Sequence, residues 1–306
     1  MLVAYHGVDI DGFCSAAIVN YFYKHGLVTN KGIGNQEILF HPMNHGDKYP
    51  FEKIGKNDRV YFLDFPPPNP GEDLDKLFEI TKDIIWIDHH ESSLEKFNDF
   101  DFDGHWSVTW PAACVLTWEY MSSTAHAENN KPWNMPFFVH AISDHDSWKH
   151  EIDKSDELCL GMLTYDGVED PTDDIWEFFF DLSKSHKEDG LFDDFMKKGK
   201  TVQQYCKKSH EGYVKAFSYE MEWLGYKCIV CNRGMTGSYL FESLWDEEKY
   251  DLMIAYIFDG EKYIVSIYTT KTDKVKANDI AKSLGGGGHP RAAGFPCKIL
   301  PWVPIN

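Results

Sequence analysis

Short, wholly apolar runs alternate with segments of helical apolar spacing through the first ninety residues. Residues 2–6, Leu-Val-Ala-Tyr-His, read as a buried strand. A turn rich in Asp and Gly follows, then an apolar-rich helix over 15–25. Residues 59–65 repeat the strand, with Asp64 at its end. A turn carrying Pro66, Pro67, Pro68 and Pro70 then leads to a helix over 72–82. A third buried strand over 84–87 runs into Asp88, His89 and His90. Strands that alternate with helices and end in acidic residues predict an open, mainly parallel α/β sheet flanked by helices. Its ligand crevice is expected at the carboxyl ends of the strands.

From about 110 to 194 the strand signals fade, and helical segments at 112–121, 137–142 and 175–183 predict a helical extension. The stretch 192–217, rich in Lys and free of proline, reads as a connecting helix. Beyond it the pattern changes to strands at 226–230, 252–258 and 263–268, a hairpin at Asp259-Gly260, and a helix over 277–284 that leads into Gly285. The expected plan is an N-terminal α/β domain over 1–190, a connecting helix over 191–217 and a smaller α/β domain over 218–306.

The 306 residues suffice for two domains with substantial cores. Thirty Lys and Arg against 49 Asp and Glu give a net charge of −19, which weighs against a protein that grips long nucleic acid electrostatically. With 43% hydrophobic and 15% aromatic residues, the acidity is not that of a disordered tail. The charge-free stretch 108–118 is too short to cross a bilayer and contains a proline, and the start of the chain lacks the pattern of a secretory signal, so an intracellular, cytoplasmic location is expected. Seven scattered cysteines do not suggest a disulfide framework. The one C-x-x-C pair, Cys228 and Cys231, would point to opposite faces of a strand, which favours core packing over zinc.

Four groups of Asp and His punctuate the N-terminal half: His6 with Asp9 and Asp11; Asp64; Asp88-His89-His90; and Asp144 with His145 and Asp146. Any one of them is an ordinary loop or cap. Carboxylates that converge at one sheet edge, however, repel one another unless cations neutralise them. Asp and His ligands without thiolate suit Mn²⁺ or a related divalent ion. Two such ions roughly 3.5–4 Å apart form an arrangement for attacking phosphate esters.

Near the other end, Gly285-Gly286-Gly287-Gly288-His289-Pro290-Arg291-Ala292-Ala293-Gly294 is the most unusual string in the chain. Successive glycines let backbone N–H groups approach a phosphate, and His289 and Arg291 add charge. The competing reading is a flexible turn that ends a helix. Of three arginines, Arg59, Arg233 and Arg291, two fall in the small domain, in keeping with phosphate recognition there.

Residues 5–12 (Tyr-His-Gly-Val-Asp-Ile-Asp-Gly), Asp64, Ile87-Asp88-His89-His90 and Ile142-Ser143-Asp144 resemble, in order, the four motifs of the DHH phosphoesterase family. The glycine-rich string resembles the signature of the DHH-associated C-terminal domain. The resemblance covers most of the chain and implies a two-manganese hydrolase acting on phosphodiesters or phosphoanhydrides. His6 and Asp9 would hold the first metal, Asp64 would bridge to the second, and Asp11, His89 and Asp144 would complete the ligands of the second metal. Asp146 is the alternative to Asp144. Asp88 would orient His89, and His90 would stand near the substrate phosphate. Gly286, Gly287, Gly288, His289, Arg291 and Arg233 would bind substrate. Where many relatives carry an arginine, this chain has Ser266-Ile267-Tyr268-Thr269, and Lys271 is the candidate substitute. The spacing around His6 is similar to that of the short-oligonucleotide nuclease branch. The expected substrate is therefore a short oligonucleotide or small nucleotide phosphodiester, released as mononucleotides, without long duplex DNA or membrane as partners and with a homodimer as the candidate assembly. A pyrophosphatase or polyphosphatase, and a silent nucleotide sensor, are the competing readings.

Overall fold

The computed structural model describes residues 1–28, 37–44, 46–97, 99–107, 110–129, 133–181 and 190–302. It divides into two compact units, Met1–Val202 and Gln203–Asn306. The first contains β1 (Leu2–His6), α1 (Ile10–Lys24), β2 (Leu39–Met43), β3 (Val60–Leu63), α2 (Glu72–Ile80), β4 (Ile84–Asp88), α3 (Glu91–Phe97) and β5 (Asp103–Trp106). The helices α4 (Ala113–Asn129), α5 (Phe137–Asp146), α6 (Ser155–Met162) and α7 (Ile175–Phe180) follow. The long helix α8 (Leu191–Phe217) crosses the division at residue 202.

Strands β1 to β5 form one sheet in the order β2-β1-β3-β4-β5, with every pairing parallel. The three central strands, β1, β3 and β4, are buried along their whole length and almost wholly apolar because both faces of the sheet are covered there. Val3, Tyr5, Tyr61, Leu63, Ile85 and Ile87 pack on one side with α1, α4 and α5. Leu2, Ala4, Val60, Phe62, Ile84 and Trp86 pack on the other side. The order 2-1-3-4-5 reverses direction between β1 and β3, and ligands of open α/β sheets bind outside the strand ends at such a reversal.

Several boundaries differ from the sequence pattern for local reasons. Helix α1 begins at Ile10, not near residue 15, because the Asp9 side chain accepts the Gly12 N–H at 3.0 Å and caps it. The apparent Asp-Gly turn is thus the first turn of the helix, and Asp11 lies inside it. Helix α5 runs four residues past the expected 142, to Asp146. The helix expected to reach Ser183 is observed as far as Phe180, and Ser183 lies outside the described residues. Strands β2 and β5 carry no clear apolar run; β2 is mostly exposed or half-buried.

The second unit contains β6 (Ser218–Trp223), β7 (Tyr226–Asn232), β8 (Leu252–Phe258), β9 (Tyr263–Tyr268), α9 (Ala277–Ser283), β10 (Gly287–Gly288) and β11 (Ala292–Cys297). Their sheet runs β10-β11-β9-β8-β7-β6, with only β7 and β8 parallel. Cys228 and Cys231 point to opposite faces of β7. Cys228 packs with Val230, Leu252 and Val265, and Cys231 with Ile229, Leu240 and Met253.

Candidate metal centre

The switch point brings the carboxyl ends of β1, β3 and β4 together. β1 delivers His6, and Gly12 in the first turn of α1 lies so close that a Cβ there would overlap the His6 carbonyl oxygen. Asp9 and Asp11 therefore come back against the end of β1. β3 delivers Asp64, whose φ of 51° places a non-glycine residue in the left-handed region. That uncommon conformation turns its side chain off the strand line. β4 delivers Asp88, followed by His89 and His90.

Two groups of ligand atoms result. In the first, His6 Nδ1 lies 2.8 Å from Asp9 Oδ2 and 3.3 Å from Asp64 Oδ2. In the second, His89 Nε2 lies 3.4 Å from Asp146 Oδ2 and 3.7 Å from Asp11 Oδ2. Asp64 belongs to both, because its other oxygen, Oδ1, is 3.4 Å from His89 Nε2. Asp11 is fully buried and held by backbone: its two oxygens accept the N–H groups of Ala113 and Cys114 at the start of α4, at 2.9 and 2.8 Å. No residue-type signal could have shown that support, since it comes from main-chain donors.

Two expectations are corrected by these positions. Asp144 does not join the group. Its oxygens accept the Glu151 and Ile152 N–H groups and the Ser155 hydroxyl, at 2.8, 3.2 and 2.6 Å, so it ties down the loop after α5. Asp146, two residues on and on the other side of the helix, faces His89 instead. Asp88 likewise does not hold the His89 ring. Its Oδ1 accepts the His89 and His90 N–H groups at 2.7 and 3.1 Å, and its side-chain partner is His90 Nδ1, at 2.8 Å.

The electrostatics of this assembly are those of acids and imidazoles neutralising one another. Burial opposes charge on His6, but Asp64 and Asp9 outweigh it and push its pKa up to about 11. The same contest, with Asp64 and Asp146 prevailing, raises His89 well above its ordinary value. Burial would push Asp64 up, yet His6 and His89 hold it well below the carboxylate range. Burial, then the charges of Asp64 and Asp146, push Asp11 well up. Burial, opposed by His89, pushes Asp146 up to about 6. So many carboxylates in one buried place call for positive charge, and divalent cations would supply it in place of the imidazolium protons. The donors fit such ions: they are carboxylate oxygens and imidazole nitrogens without thiolate. The buried Asp88 Oδ2 also has no hydrogen-bond donor among the described residues.

In the second unit, the glycine string is a hairpin. Gly287 and Gly288 pair with Gly294 and Ala293, and the His289 and Ala292 backbones bond to each other across the turn. A Cβ at Gly286 would overlap the Gly294 carbonyl oxygen, and Gly288 has φ 129°, so close packing alone requires glycine at both positions. Arg291, at the tip of the turn, is exposed, and His289 beside it is half-buried. Arg233 lies over the Tyr213 ring, 4.6 Å from its centroid. Lys271 is engaged at 3.1 Å by Asp251.

Residues 236–298 match the family model of the DHHA1 domain. The chain is 25% identical over 315 residues to an uncharacterized protein of Acanthamoeba polyphaga mimivirus. That alignment covers 96% of this chain but 66% of the viral protein. Among solved structures, the DHH domain of a member of the s1p family of ribosomal proteins aligns over 97% of this chain and 82% of its own, with a TM-score of 0.53 at 12% identity, which shows a shared fold. A pGpG-specific phosphodiesterase from Vibrio cholerae aligns over 97% and 93%, with a TM-score of 0.48 at 13% identity. The match at residues 236–298 thus agrees with the resemblance read at the glycine string, and the fold is shared with a solved DHH domain.

Proposed function

We propose that this protein is a divalent-metal-dependent phosphoesterase that hydrolyses short oligonucleotides or small nucleotide phosphodiesters, with Mn²⁺ as the working ion. The observation that carries the reading is the placement of Asp64, whose two carboxylate oxygens face two separate groups of ligand atoms. His6 and Asp9 would hold one ion and Asp11, His89 and Asp146 the other, with Asp64 shared between them. When bound, a pair of divalent ions supplies positive charge to the phosphate and a deprotonated water as nucleophile. The chain's own residues do the rest. The amides of Ala113 and Cys114 fix Asp11, and Asp88 fixes the His90 ring by its Nδ1. The Nδ1 proton is then committed to Asp88, so exchange with a phosphate oxygen falls to Nε2. His289 and Arg291 would bind phosphate from the second unit. The net charge of −19 favours small substrates over long strands.

The test is a substrate panel under one Mn²⁺ condition: di- to pentanucleotides, cyclic dinucleotides, 3′,5′-bisphosphate nucleotides, pyrophosphate and long single strands. Turnover of dinucleotides that disappears with a chelator, and falls at least a hundredfold in Asp64→Ala with loss of both ions, is the expected result. Two retained ions and near-normal turnover in Asp64→Ala would overturn the assignment.

A further inference from the structure

The bridging position of Asp64 depends on a backbone turn that is uncommon for any residue but glycine. Asp64 has φ 51°, in the left-handed region, and such a conformation persists only where the surrounding chain holds it. On its amino side the hold is the sheet: the Asp64 N–H donates to the Ile87 carbonyl of β4 at 2.9 Å. On its carboxyl side the chain enters Phe65 and then Pro66, Pro67 and Pro68. Pro66 keeps Phe65 out of the helical region, and the proline rings fix φ at three successive residues. They also remove backbone donors. Pro67, Pro68 and Pro70 have no N–H to return to the carbonyls of this run, although Pro67 and Pro68 are buried.

Tyr49 supplies a donor from elsewhere. It lies between β2 and β3, and its hydroxyl is 3.0 Å from the Pro66 carbonyl oxygen and 3.0 Å from that of Pro67, so one O–H serves both. Burial pushes this hydroxyl above its ordinary pKa, so it stays protonated. The Tyr49 ring is seated by Phe62 of β3 and by Phe65, with centroids 6.1 and 6.3 Å away. Phe65 in turn stacks on the His6 ring, 6.2 Å away with planes 27° apart. A single side chain thus backs two neighbouring ligands, Asp64 through the turn that follows it and His6 through Phe65. Its own hydroxyl is committed to the two carbonyls, so its part is to hold the ligands and not to bind metal or substrate.

We propose that Tyr49 is a positioning residue for the bridging carboxylate. By clamping the Pro66 and Pro67 carbonyls, its hydroxyl keeps Asp64 in the backbone conformation that lets one carboxylate face both groups of ligand atoms. The proposal rests on the metal-dependent reading above and deepens it, since it names what holds the shared ligand. A carboxylate held this way is oriented before any ion arrives, and outer groups that orient ligands commonly change metal affinity tenfold or more.

The experiment compares two variants of the full chain. Tyr49→Phe removes the clamping hydroxyl and keeps the ring. Tyr23→Phe is the control: it removes the same group from the same unit, at α1, where the hydroxyl meets that of Tyr61 at 2.9 Å. Melting curves of the metal-free proteins set a temperature at which all are folded. There, Mn²⁺ titration calorimetry gives the number and affinity of the ions, and electron paramagnetic resonance reads the exchange-coupled spectrum of two Mn²⁺ ions that share a ligand. Tyr49→Phe should bind the second ion about tenfold more weakly than wild type. It should also lose most of the coupled spectrum at the Mn²⁺ concentration that saturates wild type. Tyr23→Phe should keep both properties, whatever its melting midpoint. Two ions at wild-type affinity with a full coupled spectrum in Tyr49→Phe would overturn the proposal and leave the metal site standing. Equal losses in the two variants would overturn it as well, by showing a general loosening of the unit. A wild-type protein that binds no coupled pair would instead overturn the two-ion reading, and this proposal with it.

Discussion

At the scale of single residues, the chemistry turns on neighbours that look equivalent in the sequence. Asp144 and Asp146 sit two apart on α5, where a helical rotation of roughly 100° per residue sends them to opposite sides. Asp146→Ala should therefore lose bound metal, and Asp144→Ala should keep it. Asp144→Ala should instead lower the thermal midpoint, since three hydrogen bonds to one carboxylate are lost, at a cost of about 2 kcal/mol. Metal analysis with a melting curve on each variant separates the roles, and the reverse pattern would restore Asp144 as the ligand. His89 and His90 divide in the same way. His89→Ala should lose metal, whereas His90→Ala should keep metal content near wild type and lower turnover, because the partner of its ring is Asp88. Equal metal loss in both variants would show that His90 is a ligand as well. The motif Asp88-His89-His90 was legible as a string, but which ring Asp88 holds depends on side-chain directions that a string does not carry.

At the scale of elements, Asp251 shows how a buried charge ties strands together. It precedes β8, accepts the Lys227 N–H of β7 at 3.1 Å, and meets Lys271 and Lys274, beyond β9, at 3.1 and 2.7 Å. Burial alone would push this carboxyl up. Lys274, the Lys227 amide and Lys271 outweigh it and bring it down to about 2. A pKa depressed on folding adds stability that is complete above the unfolded value, near 4, and is lost as the pH falls from there to about 2. The second unit should therefore lose about 1–2 kcal/mol over that interval. Asp251→Asn should remove most of that acid sensitivity and destabilise the unit at neutral pH. Denaturation midpoints between pH 2 and 7 check both points, and an unchanged acid profile in the variant would count against the assignment. The same residue explains why Lys271, a candidate for the missing phosphate contact, is engaged in structure.

At the scale of the whole molecule, the six residues proposed to hold metal, His6, Asp9, Asp11, Asp64, His89 and Asp146, lie in the first unit, and His289 and Arg291 lie in the second. Metal binding and phosphate binding should therefore separate by mutation. Arg291→Ala is expected to raise KM about tenfold or more with metal content unchanged, as for loss of a charge-assisted contact. Steady-state kinetics on a dinucleotide, with metal analysis alongside, tests this. An unchanged KM on every substrate would reduce the glycine hairpin to a structural turn. Among the described residues no helix is long and apolar enough to cross a membrane.

The sequence by itself determined the alternation of strands and helices, the parallel sheet with acids at its strand ends, and the set of Asp and His residues from which a metal site could be drawn. Those features are local: periodicity, caps and residue chemistry act over a few positions. Only the tertiary structure decided how that set divides. Asp64 reaches both groups because of a left-handed backbone turn, Asp11 is fixed by amides about a hundred residues away, and Asp146 displaces Asp144 through the phase of one helix. The glycine string likewise read as a phosphate loop, and it folds as a hairpin in which the strand packed against Gly286 and Gly288 leaves no room for a side chain at those two positions. Contacts between distant segments depend on where the chain returns, and no local pattern encodes that.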